Sequence, residues 1–262
     1  RQQADQHGLI AVFPSSLSYC LKEDDNGDGT FSFPAEAKVT TKWAEGKLGD
    51  PKRQPLCSAA EIAQLPAAQQ ARVKHPLADD VAFFKAMLSL LEQQYLVDSK
   101  RIYVSGFSNG GSFTSRLVME LSDRLAAAGV GSGALQLSPV PAKRAISVLH
   151  HVGQVEKAVM QETGLSALPM TQNLPADVPV VKQMYAPMLT VLGLSDSYTF
   201  NTRTVAGKKL ARYHYATSKG SAANSFSFVV VEGQTHQYPN GTNHPLVAAD
   251  MLWDFFRKHA LP

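Results

Sequence analysis

A serine between two glycines is the feature of this sequence with the clearest chemistry. Residues 106–110 read GFSNG, the only GxSxG match in the chain. The run at 101–105 predicts a strand and the segment 113–121 predicts a helix, so the serine falls on a sharp strand-to-helix turn that presents its hydroxyl as a nucleophile. We therefore interpret Ser108 as the candidate nucleophile. The backbone N–H of Asn109 is a candidate oxyanion donor, because a helix start favours negative charge.

A serine hydroxyl needs a base that takes its proton, and histidine is the usual one. His236 lies in GQTHQYPNG, directly after a predicted strand at 226–232, where a ring can reach across the strand ends. His244 precedes Pro245, which suits the first turn of a terminal helix, and His259 lies at the far end of that helix. The spacing favours His236 as the base.

Two carboxylates compete for the role of the acid that orients the histidine. Glu156 follows a predicted strand at 144–151, whereas Asp196 follows an apolar segment at 180–192. That second segment places apolar residues on one helical face and has Gly193 as its stop, so it is better interpreted as a helix. The pattern favours Glu156, and Asp196 remains the alternative acid.

The elements that must position these residues alternate between short apolar runs and amphipathic segments. Such alternation predicts an α/β fold with a mostly parallel central sheet flanked by helices, in one domain over 1–262. The polar stretch at about 15–76, rich in proline and glycine, is longer than an ordinary connection and predicts a long insertion. Strands are predicted at 9–13, 101–105, 125–131, 144–151, 211–217 and 226–232, and helices at 77–95, 113–121 and 245–259.

The composition excludes several function classes. The chain has 25 Lys plus Arg and 22 Asp plus Glu among 262 residues, and no basic block that could follow a phosphate backbone. The longest apolar runs are far shorter than the ~20 residues of a membrane span. We expect neither a nucleic acid nor a membrane as partner, but a small-molecule or polymeric substrate bound by a monomer.

The predicted insertion carries two further patterns. Cys20 and Cys57 are the only cysteines, and we expect them to pair, as suits a secreted protein. Asp24, Asn26 and Asp28, followed by glycine, match the first half of a calcium loop, although alanine stands at the twelfth position where such loops have glutamate. The alternatives are a structural Ca²⁺ and an Asx-rich turn without an ion. Catalysis itself needs no cofactor.

The segments GFSNGG, GQTHQYPNG, ADQHGLIAVFPSS and DDVAFF together resemble the secreted polyhydroxybutyrate-depolymerase and feruloyl-esterase-like branch of the α/β-hydrolases, over nearly the whole chain. The resemblance implies an α/β-hydrolase fold and ester hydrolysis through an acyl-enzyme. The family's histidine loop usually reads GGGHTWPG, which matches His236 and puts Tyr238 where tryptophan is common. Its acid follows a strand resembling VLHIHGTAD, which SVLHHVGQVE matches with Glu156 in place of aspartate. Tyr238 and Trp43 are the candidate substrate-facing aromatic residues.

The sequence departs from this family at its beginning. Relatives have strands before the segment that matches residues 1–8, including a central strand whose loop supplies a second oxyanion donor. No such strand is present, and its place in the sheet lies between the strands predicted at 9–13 and 101–105. We therefore expect roughly 50 or more upstream residues in the functional protein.

The expected function is that of a secreted serine esterase acting on polyesters, such as polyhydroxyalkanoates, or on hydroxycinnamoyl and aryl esters. A peptidase or acyltransferase using the same three residues is one alternative. A non-catalytic binding module that keeps the fold is another.

Overall fold

A computed structural model describes residues 2–24, 26–33, 39–217 and 224–262. The chain divides into two compact units where the sequence predicts one domain: Arg1–Ala11 with Leu96–Pro262, and Val12–Tyr95. The strands are β1 Ser18–Cys20, β2 Val39–Thr41, β3 Tyr103–Phe107, β4 Ala127–Gly131, β5 Ser147–Gly153, β6 Thr199–Val205, β7 Lys208–Ala216 and β8 Ser225–Val231. The helices are α1 Gln2–His7, α2 Ala59–Ile62, α3 Ala67–Gln70, α4 Asp80–Gln94, α5 Asn109–Glu120, α6 Lys157–Thr163, α7 Leu174–Asp177, α8 Pro179–Gln183, α9 Ala186–Val191 and α10 Ala248–Phe256.

The larger unit contains a six-stranded sheet in the order β3-β4-β5-β8-β7-β6. The first four strands pair in parallel, and β7 and β6 join antiparallel, so the predicted mostly parallel α/β fold is confirmed. Every residue of β4, β5 and β8 is buried, which accounts for their mainly apolar composition. The helix α10 adds Leu252, Phe255 and Phe256 to a core cluster with Leu149 and Val229.

The Val12–Tyr95 unit combines the long helix α4 with short strands, short helices and one cross-link. The three-residue strands β1 and β2 pair antiparallel. Cys20 and Cys57 form the predicted disulfide, and their side chains lie in a small apolar cluster with Leu65. A capping box joins Ser58 and Glu61 at the start of α2. This unit contains the predicted insertion at about 15–76.

Two local predictions need correction, and one strand was not predicted. Residues 9–13 are not a strand: Phe13 is 82% exposed, so this apolar run is not the buried strand that its composition indicates. The helix predicted over 180–192 is two short helices, α8 and α9, because Pro187 cannot donate the backbone bond of a continuous helix. The hairpin strand β6 was not predicted. It is an edge strand whose polar residues alternate only weakly with apolar ones.

In the part of the chain that is described, β3 pairs with β4 and with no other strand. The upstream strand expected from the sequence stays a prediction. No described helix is both long and apolar enough to span a bilayer.

Candidate active site

The candidate residues follow the parallel strands of the sheet. Ser108 comes directly after β3, Glu156 shortly after β5 and His236 shortly after β8. The strands are in register at their ends, with Phe107 opposite Gly131 on β4 and Gly131 opposite His151 on β5. Because parallel strands end at the same edge, residues distant in sequence come together there.

Ser108 lies in a strained turn between β3 and α5. Its backbone φ is 55°, in the left-handed region that non-glycine residues rarely adopt. Its side chain makes no capping bond to α5, so the hydroxyl is directed elsewhere. A Cβ atom at Gly106 would lie 2.2 Å from the carbonyl oxygen of Gly110, which accounts for glycine there. The sequence motif therefore reports a tight turn as well as a nucleophile.

His236 connects the serine to an acid. Its Nε2 lies 2.8 Å from Ser108 Oγ, and its Nδ1 lies 2.8 Å from Glu156 Oε2. A carboxylate only accepts hydrogen bonds, so Nδ1 carries the proton that it donates to Glu156, and Nε2 is left to accept from the serine hydroxyl. This tautomer leaves Nε2 free to take the Ser108 proton.

The two candidate acids have opposite surroundings. The Glu156 side chain is 5% exposed and contacts His236, whereas the Asp196 side chain is 69% exposed and forms an ion pair with Lys182 Nζ at 2.7 Å. Both ring nitrogens of His236 are already bonded to Ser108 and Glu156. The geometry brings Glu156, and not Asp196, to the histidine.

The loops that carry Glu156 and His236 are in direct backbone contact. Val155 N donates to Gln234 O at 3.1 Å, and a Cβ atom at Gly153 would lie 2.2 Å from the same oxygen. The side chain of Gln234 is buried, and its Nε2 donates to Gln237 O at 3.4 Å. Gln234 therefore links the histidine loop to the loop that carries Glu156 through its backbone, and to Gln237 through its side chain. Gln234 could not be predicted, since a loop glutamine carries no recognisable signal in the sequence.

The other histidines considered as bases have structural surroundings. His244 is buried, with Nε2 2.9 Å from Glu232 O and Nδ1 accepting from Leu246 N at 3.1 Å. His259 packs its ring 4.6 Å from Phe255, and burial lowers its pKa. Neither is bonded to Ser108.

The family model described as the prolyl oligopeptidase family matches residues 70–261, which is most of the chain. The chain belongs to the prolyl oligopeptidase family. This family has the α/β-hydrolase fold, in agreement with the predicted fold class.

Two curated relatives of this prolyl oligopeptidase family member are named as esterases. Feruloyl esterase B of Piromyces equi is 27% identical over 191 residues, covering 71% of this chain and 32% of the relative. The bifunctional acetylxylan esterase/xylanase XynS20E of Neocallimastix patriciarum is 30% identical over 71 residues, covering 27% of this chain and 11% of the relative. The chain thus spans a third or less of the length of either relative.

One of the two aromatic candidates, Tyr238, packs on the same phenylalanine ring as the histidine of this family member. The ring of Phe107 is 5.2 Å from that of His236 and 5.9 Å from that of Tyr238, which meets it edge to face. Tyr238 is 37% exposed, so it can contact a ligand. Trp43, in the Val12–Tyr95 unit, packs against Phe83 and Phe84. The substrate contacts of Tyr238 and Trp43 stay predictions, as does the oxyanion role of the Asn109 amide.

The candidate calcium ligands form backbone-bonded turns. Asp24 accepts from the amides of Asp28 and Gly29 at 3.1 and 3.0 Å, and Asp28 Oδ1 accepts from Thr30 N at 2.8 Å. The twelfth position of the pattern, residue 35, lies outside the described residues. Within the described ranges, no group of three or more His, Cys, Asp or Glu side chains is arranged to hold a metal ion. Calcium binding by Asp24, Asn26 and Asp28 stays a prediction.

Proposed function

We propose that this chain is a serine carboxylic-ester hydrolase. The observation that carries the proposal is the continuous hydrogen-bonded series from Glu156 Oε2 through His236 to Ser108 Oγ, with both links at 2.8 Å. A base bonded to the nucleophile and oriented by a buried acid is the arrangement used for acyl transfer.

The first half of the reaction forms an acyl-enzyme. Ser108 Oγ attacks the ester carbonyl carbon while His236 Nε2 takes the hydroxyl proton, and the carbonyl oxygen becomes an oxyanion. Glu156 stabilises the imidazolium that forms, and the Asn109 amide at the start of α5 is the proposed oxyanion donor. The tetrahedral intermediate collapses, the bond to the alcohol oxygen breaks, and Nε2 returns the proton to the leaving alcohol.

The second half releases the acid by the same steps. Water loses a proton to His236 Nε2 and attacks the acyl carbon of the ester on Ser108. The bond to Oγ then breaks and Oγ recovers the proton from Nε2. The carboxylic acid leaves, and the three side chains return to their starting states.

For the substrate, the esterase names of the two relatives support hydroxycinnamoyl or acetyl esters, and the resemblance of the sequence motifs adds polyesters. A panel of methyl ferulate, p-nitrophenyl acetate and polyhydroxybutyrate particles would rank these classes by kcat/KM. We also propose that the protein is secreted, because the disulfide suits an oxidising compartment.

Peptide hydrolysis is the second candidate, because the family is described by an oligopeptidase. The same three residues can cleave an amide, so their geometry does not discriminate between the two reactions. p-Nitrophenyl esters and peptide p-nitroanilides should be compared at equal enzyme concentration. Amide turnover without ester turnover would overturn the esterase proposal.

The decisive experiment replaces the nucleophile. Ser108→Ala should lower kcat/KM for p-nitrophenyl acetate on the order of 10⁴-fold or more, because no oxygen remains to form the acyl-enzyme. A fluorophosphonate should label wild-type protein at Ser108, as mass spectrometry of the peptide would show. Ser197→Ala, in an exposed loop, is the matched control and should keep wild-type turnover. Turnover at the uncatalysed background level in both the wild type and Ser108→Ala would support a binding module instead.

A further inference from the structure

The residue that follows β4, Ser132, has no role predicted from the sequence. Ser132 comes directly after β4, and its hydroxyl donates a hydrogen bond to Glu156 Oε1. The other oxygen of the same carboxylate accepts from His236. The carboxyl ends of all four parallel strands therefore each lead to one member of a single hydrogen-bonded group.

The hydroxyl of Ser132 matters because Glu156 is buried. A buried carboxylate is costly unless its oxygens are bonded. The remaining donor to Oε1 among the described residues is Gly153 N at 3.4 Å, a long contact for an N–H···O bond. Ser132 is thus the principal donor that holds this oxygen, and it fixes the direction in which Oε2 faces the histidine.

The backbone at Ser132 is held in an unfavourable conformation that points the hydroxyl at Glu156. Its φ is 43°, a value that glycine adopts more readily than serine. Among the described residues, the other non-glycine residues with positive φ are Ser108 and Ala206, and Ala206 lies in the tight turn between β6 and β7. Away from that hairpin, the described non-glycine residues with positive φ are the two serines of the site.

The loop around Ser132 also contacts the nucleophile turn. Ser132 N donates to His151 O at 2.8 Å, and Ser108 N donates to Gly131 O at 2.8 Å. A Cβ atom at Gly133 would lie 2.7 Å from Ser108 O. Residues 131–133 therefore contact both the turn that carries Ser108 and the side chain of Glu156. These contacts fix the position of the acid relative to the nucleophile.

We propose that Ser132 is a positioning residue that holds the Glu156 carboxylate against His236 Nδ1. This inference rests on the proposed function, since it assigns Ser132 to the same reaction. Without the hydroxyl, Glu156 can rotate away from His236, and the imidazolium loses its partner in the transition state. The substrate itself is not held by Ser132, so kcat should fall while KM stays within about twofold.

Two substitutions separate this role from a purely structural one. Ser132→Gly removes the hydroxyl but suits the backbone, whereas Ser132→Ala removes the hydroxyl and keeps the unfavourable φ. Both should lower kcat by about 10- to 100-fold, as expected for losing a hydrogen bond to a charged group. If Ser132 served only the loop conformation, Ser132→Gly would keep wild-type kcat.

The matched control is a second serine–glutamate pair outside the site. Ser138 Oγ donates to Glu120 Oε1 at 2.6 Å, so Ser138→Ala removes the same kind of bond. We expect it to keep wild-type kcat. A comparable loss in Ser138→Ala would mean that the effect is not specific to Glu156 and would overturn the proposal.

A spectroscopic readout makes the test independent of turnover. The Nδ1 proton of His236, bonded to Glu156, should give a downfield NMR signal that shifts or broadens in Ser132→Gly and stays unchanged in Ser138→Ala. An unchanged signal and unchanged kcat in a folded Ser132→Gly would overturn the positioning role while Ser108→Ala remained inactive. Full activity in Ser108→Ala would instead overturn the proposed function itself.

Discussion

Different interactions stabilise the segment from β5 to Glu156 and the Val12–Tyr95 unit. The strand β5 lies between β4 and β8, and all seven of its residues are buried. In the Val12–Tyr95 unit, the paired strands have three residues each, and two of its helices have four. There, a disulfide between Cys20 and Cys57 and a capping box supply what strand pairing supplies in the sheet.

This difference indicates which region of the molecule can hold buried, reactive polar side chains. Strand register fixes backbone positions over a long distance, so a carboxylate and a histidine can meet precisely enough to react. In the Val12–Tyr95 unit, a disulfide that joins cysteines 37 residues apart restricts the chain instead and adds no reactive group to a site. Substitutions near β5 should therefore change chemistry and proton binding, whereas substitutions in the Val12–Tyr95 unit should change stability.

Among the substitutions that compare the two regions, the largest expected effect is at Glu156. Glu156→Gln keeps the size of the side chain but removes the charge that stabilises the imidazolium, so kcat for p-nitrophenyl acetate should fall about 10³- to 10⁴-fold. The free energy of unfolding in urea should change much less than this activity. Steady-state kinetics and urea titration on the same preparation would measure both.

Asp196→Asn provides the control for this prediction. Its carboxylate is exposed and paired with Lys182, and such surface pairs contribute little, so activity should stay within about twofold of the wild type. If Asp196→Asn were the inactive variant and Glu156→Gln the active one, the acid would have been assigned to the wrong residue.

The next effect is at the disulfide. Replacing both Cys20 and Cys57 by serine opens a loop with a sequence separation of 37 residues and should destabilise the Val12–Tyr95 unit by about 4 kcal/mol. Hydrogen exchange should accelerate at the Cys57 amide, which is bonded to Cys20 O at 3.0 Å, and remain slow in β5. Dithiothreitol should reproduce this pattern in the wild type. Equally accelerated hydrogen exchange in β5 and at residue 57 would show that the disulfide does not stabilise the Val12–Tyr95 unit separately from the sheet.

The sequence predicts those strands whose burial or flanking motif can be recognised in the order of apolar and polar residues. The strands β4, β5 and β8 stand out because parallel strands that are buried on both faces are mainly apolar, and β3 stands out because it leads into the GxSxG turn. The strand β6 could not be found, since an edge strand is defined by its partner β7 rather than by its own composition. The strand predicted at residues 9–13 is wrong for the converse reason. An apolar run forms a strand only where a neighbouring strand is available for pairing.

The same limit applies to the candidate site. Ser108 and His236 are recognisable because each follows a predicted strand within a distinctive motif, and Glu156 is favoured by telling a strand from a helix. Ser132 and Gln234 could not be predicted, because their roles depend on neighbours 24 and more residues away in sequence. A serine between two glycines at the end of a buried strand was the one available signal for Ser132.

The smallest expected effect concerns two histidines within β5. The ring of His150 is fully buried, 5.6 Å from that of Phe228, and burial lowers its pKa to about 3, with the neighbouring His151 adding to the shift. The Gly133 backbone opposes the shift, but within the described residues neither ring nitrogen has a partner at hydrogen-bond geometry. Burial likewise lowers the pKa of His151 to about 4.

These pKa values make stability fall as the solution becomes acidic. An unfolded histidine takes up a proton near pH 6.5, whereas the folded protein does so only near pH 3 to 4. Between these values the unfolded state binds more protons, so the free energy of unfolding decreases by about 1 kcal/mol per pH unit for each ring as the pH drops below 6.5. In the Val12–Tyr95 unit, the backbone amide of Ser58 lowers the pKa of Glu61, whose stabilising effect is lost only below about pH 4.5.

Urea unfolding at pH 7.5, 6.5 and 5.5 would test this difference between the regions. His150→Leu, which replaces the ring by an apolar side chain of similar volume, should make the dependence of the unfolding free energy on pH shallower by about 1 kcal/mol per pH unit. Glu61→Gln should leave that dependence unchanged over this range, because Glu61 titrates at lower pH. If His150→Leu kept the wild-type slope, β5 would not hold a neutral imidazole, and its burial would not be what distinguishes the two regions in acid.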